Sequence, residues 1–287
     1  PVRLVGRAGL AWLEAHDFAE TRLVRHAFST RRGGVSAGPW ASLNLGYGTG
    51  DAPQHVAENR RRLLAAVGLA GRPLVTVRQV HGDGLVVVEG VADAEQAANL
   101  AADGVLTASP EVAVAVLTAD CLPVLLLDRR RKAVAAIHSG WRGTVLRIAG
   151  RAVRRMGEEF GTAPEDVLAA IGPGIGPCCY EVDRPVLERL AEAFPRQAEG
   201  FLSALDGDRA HLDLRAAVLA DLKESGVPDE NVTVVDACTS CQPERFFSYR
   251  RQGGSTGRMA AVIGLQEGTG CREGKDRPGE GGHAGER

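Results

Sequence analysis

The sequence lacks an apolar run long enough to cross a membrane, and it has few aromatic residues and few lysines. Its uninterrupted apolar stretches fall far short of the roughly 20 residues that a membrane helix needs. Its first residues do not have the basic, apolar and small-residue segments of a secretory signal. Aromatic residues make up 5% of the chain, and three lysines accompany 31 arginines, an excess that we attribute to nucleotide bias of the source genome. We therefore expect a cytoplasmic protein with no membrane partner.

An excess of charge of either sign is also missing. The 34 basic and 36 acidic residues give a formal net charge of −2, so no bulk electrostatic field attracts nucleic acid or an anionic surface. The 287 residues are 44% apolar, which is enough to bury a sizeable core. A small-molecule substrate is a better expectation than a nucleic-acid partner.

The six cysteines do not indicate a disulfide framework. In a chain of this length, for which we expect no export, reduced thiols are more typical. A CTSC motif has no second CxxC partner, and an adjacent cysteine pair has the wrong spacing to complete a zinc site. We therefore expect buried free thiols in the CTSC motif, with a redox pair or half of a structural zinc site as the alternatives. The cysteines form one CTSC motif, one adjacent pair, one isolated residue and one residue in a polar tail: Cys238 and Cys241, Cys178 and Cys179, Cys121, and Cys271.

The pattern of apolar residues predicts an α/β (α+β) fold with mixed β-sheets layered with helices. Some adjacent strands are joined by turns too short for parallel crossovers, which excludes a regular doubly wound sheet. We expect one domain over residues 1–266 and a disordered tail over 267–287, which offers little to bury. The predicted strands are 75–82, 85–90, 111–121, 122–128, 133–140, 231–238 and 258–265. The predicted helices are 53–67, 144–160, 186–194 and 212–225.

Three residues that can bind a metal share one predicted position, at or near the end of a strand. His81 follows VTVRQV, Cys121 follows VAVAVLTAD, and His138 follows AVAAI. Strand ends next to glycine-rich connections gather at the rim of a sheet, where pockets form. Two imidazoles and a thiolate suit zinc and leave a fourth position open. A nucleophile pair, with Cys121 attacking and His138 as base, is an equal alternative on this evidence.

Several ordered motifs resemble one known family. TRRGGVS, SLNLG, QVHG, TADCLPVLL, HSGWRG, IGPGIGPCCYEV and FFSYRRQGGSTGR occur in that order between residues 28 and 258. Together they are similar to the YfiH-like family, whose members are called multicopper polyphenol oxidoreductases (laccases), peptidoglycan-editing factors and purine nucleoside phosphorylases. The resemblance implies a zinc site at His81, Cys121 and His138. It also implies a single-domain fold related to that of the cytotoxic necrotizing factor-like cysteine hydrolases.

The resemblance also favours a functional role for several polar residues near the three candidate ligands. Asp120 precedes Cys121 and can serve as a general base or cap the next turn. Arg31 and Arg258 are candidates for holding phosphate, as is Asn44 for a base or ribose, and Arg142 for the pocket wall. Each of these four also has a simpler interpretation as a surface or turn residue.

Three enzymatic activities and one non-enzymatic role remain open from the sequence. The resemblance implies phosphorolysis of adenosine, inosine or methylthioadenosine, together with adenosine deamination in which Asp120 moves protons. Cleavage of an amide or ester bond in peptidoglycan precursors is the second activity, and polyphenol oxidation the third. Copper needs an axial methionine, for which Met156 and Met259 are the candidates, but seven histidines without a His-x-His pair cannot hold a multicopper cluster. A metal-binding redox module that uses the CTSC motif is the non-enzymatic alternative.

Overall fold

The computed structural model describes residues 1–266, so the predicted tail and Cys271 lie outside the described residues. The described chain contains 15 strands and eight α-helices. The strands are β1 (Val2–Arg7), β2 (Leu10–Ala15), β3 (Val24–Ser29), β4 (Leu74–Val75), β5 (Leu85–Val87), β6 (Gly104–Thr107), β7 (Ala113–Thr118), β8 (Leu122–Asp128), β9 (Ala133–Ser139), β10 (Val167–Ile171), β11 (Glu181–Asp183), β12 (Leu202–Asp206), β13 (Arg209–Leu212), β14 (Val232–Val234) and β15 (Met259–Leu265). The helices are α1 (His16–Thr21), α2 (Pro53–Val67), α3 (Ala94–Ala97), α4 (Trp141–Val145), α5 (Ile148–Phe160), α6 (Arg184–Ala193), α7 (Leu214–Glu224) and α8 (Tyr249–Gln252).

The strands form two six-stranded sheets and one three-stranded sheet. The first sheet has the order β1-β2-β3-β15-β7-β4, the second β14-β10-β8-β9-β6-β5, and the third β11-β13-β12. The pairs β4–β7, β5–β6 and β10–β14 are parallel, and the other pairs are antiparallel. The prediction of mixed sheets layered with helices in a single domain is confirmed.

The two large sheets pack face to face, and each carries helices on its other face. In β7, Val114 and Val116 pack in the core between the sheets, whereas Ala113 and Ala115 pack in the core that includes α2. This alternation is the period of two that places successive strand residues on opposite faces. Strand β8 alternates in the same way, and the residues of its outer face belong to the core that includes α5, α6 and α7. Strands β7 and β8 are therefore buried on both faces, as their continuous apolar runs indicate.

The predicted boundaries of one helix are confirmed, and those of another are wrong. Helix α2 covers the predicted residues 53–67 and ends at Gly68, whose φ of +86° suits glycine at a helix C-terminus. The predicted helix 144–160 is instead two helices, α4 and α5. Arg147 separates them because it adopts a left-handed conformation with φ of +62°. No helix within residues 1–266 has the length and apolar content that a membrane crossing requires.

The predicted strand over residues 75–82 is wrong beyond Val75. The backbone N–H groups of Val80, His81 and Gly82 donate to the Asp103 carboxylate at 3.1, 2.9 and 2.7 Å. One side chain thus takes the hydrogen bonds that a neighbouring strand would otherwise accept. His81 also has a φ of +60°, which is outside the extended region. This segment is a loop wrapped around a carboxylate.

Candidate metal centre and substrate cavity

His81, Cys121 and His138 converge where the chain passes from the first large sheet to the second. Cys121 lies in the short connection between β7 and β8, and His138 lies on β9, paired with Pro123 of β8. His81 lies on the loop that follows β4. The ligand atoms of the three side chains all lie within 4.8 Å of one another. The two imidazole rings are 4.9 Å apart between centroids and nearly perpendicular, at 83°.

A backbone kink at the sheet junction directs both Asp120 and Cys121 into one cavity. Asp120 has a φ of +96°, a conformation that short polar side chains adopt more readily than others. Successive side chains of an extended strand would point to opposite faces. With the kink, both residues line the same cavity. The sequence alone left open whether Asp120 shares the pocket with Cys121, and this backbone conformation places it there.

Asp103 is a buried carboxylate behind the three residues. Its Oδ1 atom is 2.8 Å from His138 Nδ1, and both residues are almost fully buried. Burial alone would raise the pKa of Asp103, but hydrogen bonds from His138 and from the backbone N–H groups of Gly82 and Val80 lower it. The ionised carboxylate favours the His138 tautomer with its proton on Nδ1. That tautomer leaves Nε2 free to act as a ligand.

The thiol of Cys121 and the imidazole of His138 change each other's protonation. Burial would raise the pKa of Cys121, but the charge of His138 and hydrogen bonds from His138 and His81 bring it to about 6. Burial would lower the pKa of His138, but the Cys121 thiolate and the Asp103 carboxylate bring it to about 9. At neutral pH the metal-free pair is therefore a thiolate and an imidazolium. A thiolate is the form that both binds metal and attacks carbonyl carbon.

A cavity of about 680 Å³ opens from the three residues. All three tyrosines of the chain line it, as do two arginines of the C-terminal segment: Tyr47, Tyr180, Tyr249, Arg250 and Arg258. Its size is within the range of small-molecule sites, and its walls combine aromatic rings with a few charged groups. The arrangement suits a flat, polar ligand that carries or meets an anion.

Two of the predicted polar residues line the cavity. Asp120 accepts hydrogen bonds from the Thr239 hydroxyl at 2.6 Å and from the Arg250 backbone N–H at 2.7 Å. Arg258 donates from Nη1 to the carbonyls of Thr256 and Gly257, both at 3.0 Å. Its guanidinium carbon lies 5.9 Å from the centroid of the Tyr249 ring. Burial lowers the pKa of Arg258, a sign that part of its hydration is already lost.

Arg31 and Asn44 do not line the cavity, and their side chains are occupied by the protein itself. Arg31 donates to the carbonyls of Ala41 and Pro243, both at 2.8 Å, and its guanidinium stacks on Phe247. Asn44 is fully buried, and its Oδ1 accepts the backbone N–H of Arg258 at 2.9 Å. These contacts favour a role in positioning the loop and Arg258 over direct contact with a ligand.

Arg142 lies on a different surface from the cavity. Its guanidinium stacks on Trp141 at 4.8 Å from the ring centroid. Both residues border a separate shallow depression that His81 also lines. Arg142 therefore reaches the outer side of His81 and not the cavity wall.

The sequence did not identify several residues of the site. Asp103 stands in an unremarkable AADGV segment, and only its position just before β6, opposite His138 on β9, gives it a role. Tyr180 and Arg250 occur inside the motifs IGPGIGPCCYEV and FFSYRRQGGSTGR, but nothing in those motifs separates cavity residues from core residues. The rarity of tyrosine could have indicated the site, because all three tyrosines of the 287 residues line this cavity.

The expectation of buried thiols in the CTSC motif is wrong for Cys241, which is exposed, and confirmed for Cys238, which is buried. Cys178 of the adjacent pair is also exposed. The adjacent pair and the CTSC motif also meet, with the four sulfur atoms all within 4.8 Å of one another. The sequence did not predict this convergence. The two pairs are about 60 residues apart and meet only because their loops fold against each other.

Neither methionine stands at the candidate metal centre. Met156 is buried in α5, and Met259 at the start of β15 accepts the backbone N–H of Phe247 through its sulfur at 3.0 Å. Neither residue lines the cavity. The axial ligand of an electron-transfer copper is therefore not supplied by either one.

Comparison with known proteins gives a consistent family. A family model described as "Multi-copper polyphenol oxidoreductase laccase" matches residues 25–266. A protein of Deinococcus radiodurans named "Purine nucleoside phosphorylase" is 43% identical over 257 residues, which is 90% of this chain and 94% of that protein. Another, "Purine nucleoside phosphorylase YfiH" of Escherichia coli, is 41% identical over 83% of this chain and 92% of that protein.

Solved structures agree with that result. The crystal structure of YlmD from Geobacillus stearothermophilus is similar with a TM-score of 0.85 and 36% identity, over 93% of this chain and 100% of that chain. The crystal structure of Bacillus licheniformis hypothetical protein YfiH has a TM-score of 0.84 and 32% identity, over 93% and 99% of the two chains. The chain belongs to the multi-copper polyphenol oxidoreductase laccase family, whose relatives include proteins named purine nucleoside phosphorylase YfiH and YlmD.

Proposed function

We propose that this protein is a zinc-dependent purine nucleoside enzyme that phosphorolyses adenosine, inosine or methylthioadenosine and also deaminates adenosine. The single observation that carries the proposal is the position of His81, Cys121 and His138 in an aromatic- and arginine-lined cavity of nucleoside size. The names of the similar proteins support the same substrate class. An orientation between tyrosine rings suits the flat purine base.

The donor set fits zinc better than copper. Two imidazoles and one thiolate are the three protein ligands of a zinc site that keeps a fourth position open. The ligand atoms are mutually close, Asp103 fixes the orientation of His138, and no methionine lines the cavity as an axial ligand. A zinc ion held there would supply Lewis-acid chemistry and make water nucleophilic at neutral pH.

In phosphorolysis, a phosphate oxygen forms a bond to C1′ of the ribose while the bond from C1′ to the base nitrogen breaks. The electron pair of that bond leaves with the base, which takes up a proton, and the second product is ribose 1-phosphate, or 5-methylthioribose 1-phosphate when methylthioadenosine is the substrate. Arg258 and Arg250 line the cavity, and Arg258 is partly dehydrated, so it would interact strongly with the phosphate anion. Asn44 supports this role through its hydrogen bond to the Arg258 backbone.

In deamination, water adds to the purine carbon that bears the amine, and ammonia leaves after gaining a proton. Asp120 is the carboxylate that lines the cavity beside Cys121, so it is the group that we expect to take the proton from water and return it to the amine. Its two hydrogen bonds hold the carboxylate in place for this exchange.

Product analysis and metal analysis test the proposal together. Purified protein is incubated with adenosine, with and without phosphate, and the products are separated by chromatography. We expect adenine and ribose 1-phosphate only with phosphate, and inosine in both cases. Cys121→Ala should lose both the zinc of this site and turnover, whereas Cys271→Ala, outside the described residues, should retain both. Full nucleoside turnover by a Cys121→Ala protein without metal at this site would refute the proposal.

A second candidate is a cysteine hydrolase that acts on amide or ester bonds of peptidoglycan precursors. The thiolate–imidazolium pair of Cys121 and His138, with Asp103 behind His138, is the arrangement of an activated nucleophile. A relationship to the cytotoxic necrotizing factor-like cysteine hydrolases would suit this activity. Zinc separates the candidates, because a chelator should abolish the nucleoside activities and should expose a thiolate that iodoacetamide modifies. Ester or amide cleavage that increases after zinc removal would favour the hydrolase.

A further inference from the structure

We propose that Cys178, Cys179, Cys238 and Cys241 form a second metal site, which binds zinc through four thiolates and fastens one wall of the cavity. The site is separate from His81, Cys121 and His138, because the two groups share no residue. The adjacent pair lies on the loop between β10 and β11, and the CTSC motif lies on the loop between β14 and α8.

The spacing of the sulfur atoms suits a tetrahedral ion. With a zinc–sulfur bond of about 2.3 Å, the sulfur atoms of a tetrahedral site stand about 3.8 Å apart. Here all four sulfur atoms lie within 4.8 Å of one another, and Cys241 Sγ is 3.4 Å from Cys178 Sγ and from Cys179 Sγ. A disulfide bond requires about 2.05 Å. Cys241 Sγ contacts two other sulfur atoms. Ligands around one metal ion have this arrangement, whereas a disulfide joins only two sulfur atoms.

Donor groups lie around the four-cysteine cluster. The backbone N–H of Gly176 donates to Cys238 Sγ at 3.2 Å, a type of contact that orients metal-bound thiolates. Arg251 donates to the carbonyl of Ser240 at 3.1 Å, beside Cys241. Arg215 donates to the Val235 carbonyl and to Asp236 at the start of the same loop. Of these groups, the Gly176 N–H contacts a sulfur atom directly, and Arg251 brings positive charge to the loop of Cys241, whereas Arg215 is ion-paired with Asp236.

The cluster joins two loops that hold Asp120. Thr239, between the two cysteines of the CTSC motif, donates its backbone N–H to Gly174 at 3.0 Å and its hydroxyl to the Asp120 carboxylate at 2.6 Å. Ile175 on the other loop donates to the Asp120 carbonyl at 2.8 Å. A metal ion across the two loops would fix both contacts at once. With four protein ligands it would have no open position, so its role would be structural.

Metal stoichiometry in paired variants tests the inference. Wild type, Cys121→Ala, Cys241→Ala and the double variant are purified from zinc-supplemented culture under reducing conditions, with Cys271→Ala as the control for loss of one cysteine. We expect about two zinc ions per chain in the wild type and the control, about one in each single variant, and none in the double variant. Zinc that remains in Cys121→Ala and is lost in the double variant supports the second site, even if the first site holds no metal.

Two further measurements keep the test decisive if Cys241→Ala fails to fold. The Cys121→Ala protein, which retains all four clustered cysteines, is loaded with cobalt, and sulfur-to-cobalt charge-transfer absorption should appear with the intensity of a tetrathiolate site. Thiol titration before and after chelation should expose four additional reactive thiols. Zinc-free Cys121→Ala with freely reactive thiols would overturn the inference. So would a wild-type mass that is lower by two hydrogens per disulfide and shows a bond between these cysteines.

Discussion

The carboxylate of Asp103 connects His138 to the loop that carries His81. Its Oδ1 atom is 2.8 Å from His138 Nδ1 and also accepts the backbone N–H of His81 at 2.9 Å, while Oδ2 accepts those of Val80 and Gly82. One buried anion therefore sets both the tautomer of one imidazole and the backbone conformation from which the other extends. The two histidines, 57 residues apart in the chain, depend on the same group.

Asp103→Asn should weaken metal binding. The amide cannot accept from all four donors, and it loses the charge that fixes the His138 tautomer. Replacement of such an outer partner typically lowers metal affinity by about 10- to 100-fold. Competition with a chromophoric chelator measures the affinity. Asp128→Asn is the matched control, since Asp128 is also fully buried and accepts two backbone N–H groups, but at the opposite end of β8. Equal zinc affinities in the two variants would contradict the prediction.

The sequence predicted the parts of the fold that depend on local pattern. Strand β9 and helix α2 were predicted nearly to the residue because their apolar periods and end signals agree. The sequence did not predict the N-terminal hairpin of β1 and β2, nor the third sheet, in which β12 and β13 are short and β12 is mostly exposed. These strands are stabilised by pairing with neighbouring strands and not by an apolar periodicity that the sequence would reveal.

The sequence predicted the candidate metal ligands but not the residues that hold them in position. The residue types and motif strings pointed to His81, Cys121 and His138, and the geometry brings these together. No local pattern could pair Asp103 with His138 or assign Asn44 to the Arg258 backbone, because both contacts arise from tertiary packing. The four-cysteine cluster was missed for the same reason, since its halves lie about 60 residues apart.

Gly140→Ala should disturb the candidate metal centre through a single methyl group. A Cβ atom at this position would lie 2.9 Å from Cys121 Sγ and 3.4 Å from His81 Cδ2. Because the sulfur must move, we expect zinc affinity to fall at least roughly tenfold, with a similar loss of nucleoside turnover. Gly82→Ala is the control beside it, because its added Cβ makes only ordinary contacts, at 3.6 Å or more. Both affinities can be measured by the same chelator competition; unchanged affinity in Gly140→Ala would count against this arrangement of ligands.

Asp120→Asn should separate proton transfer from structural support. An asparagine can accept the Arg250 N–H through its amide oxygen and donate to the Thr239 hydroxyl, and it tolerates the φ of +96°. The free energy of unfolding should therefore change by less than about 1 kcal/mol. The kcat for adenosine deamination should fall by about 10²- to 10⁴-fold if the carboxylate moves protons. Chromatographic rates and urea unfolding provide the two measurements.

Asp120→Ala is the companion variant. It loses both hydrogen bonds and leaves the Arg250 N–H and the Thr239 hydroxyl without their acceptor, so it should cost about 1–3 kcal/mol of folding stability. If Asp120→Asn retains full deamination while Asp120→Ala is unstable, Asp120 is a structural acceptor and another group carries the proton.

His26 should make the protein less stable below neutral pH. Burial lowers the pKa of this imidazole to about 4, with smaller and opposing effects from the charges of Glu14 and Arg3. Its Nε2 accepts the backbone N–H of Ala15 at 2.9 Å, which requires the unprotonated ring. Between pH 6.5 and pH 4 the unfolded chain binds a proton that the folded chain does not, so stability falls as the pH falls through this window.

The expected size of the effect is about 2 kcal/mol between pH 7 and pH 5. Urea unfolding at the two pH values measures it, and the difference between wild type and His26→Gln isolates it from the titration of carboxylates. Glutamine retains an acceptor for the Ala15 N–H but does not titrate, so the variant should lose about 2 kcal/mol less than the wild type over this interval. His16→Gln, which replaces a half-exposed histidine paired with Glu20 at 3.1 Å, should follow the wild type because that imidazole is not part of the buried core. Identical pH dependence in His26→Gln and wild type would show that the buried imidazole does not control acid stability.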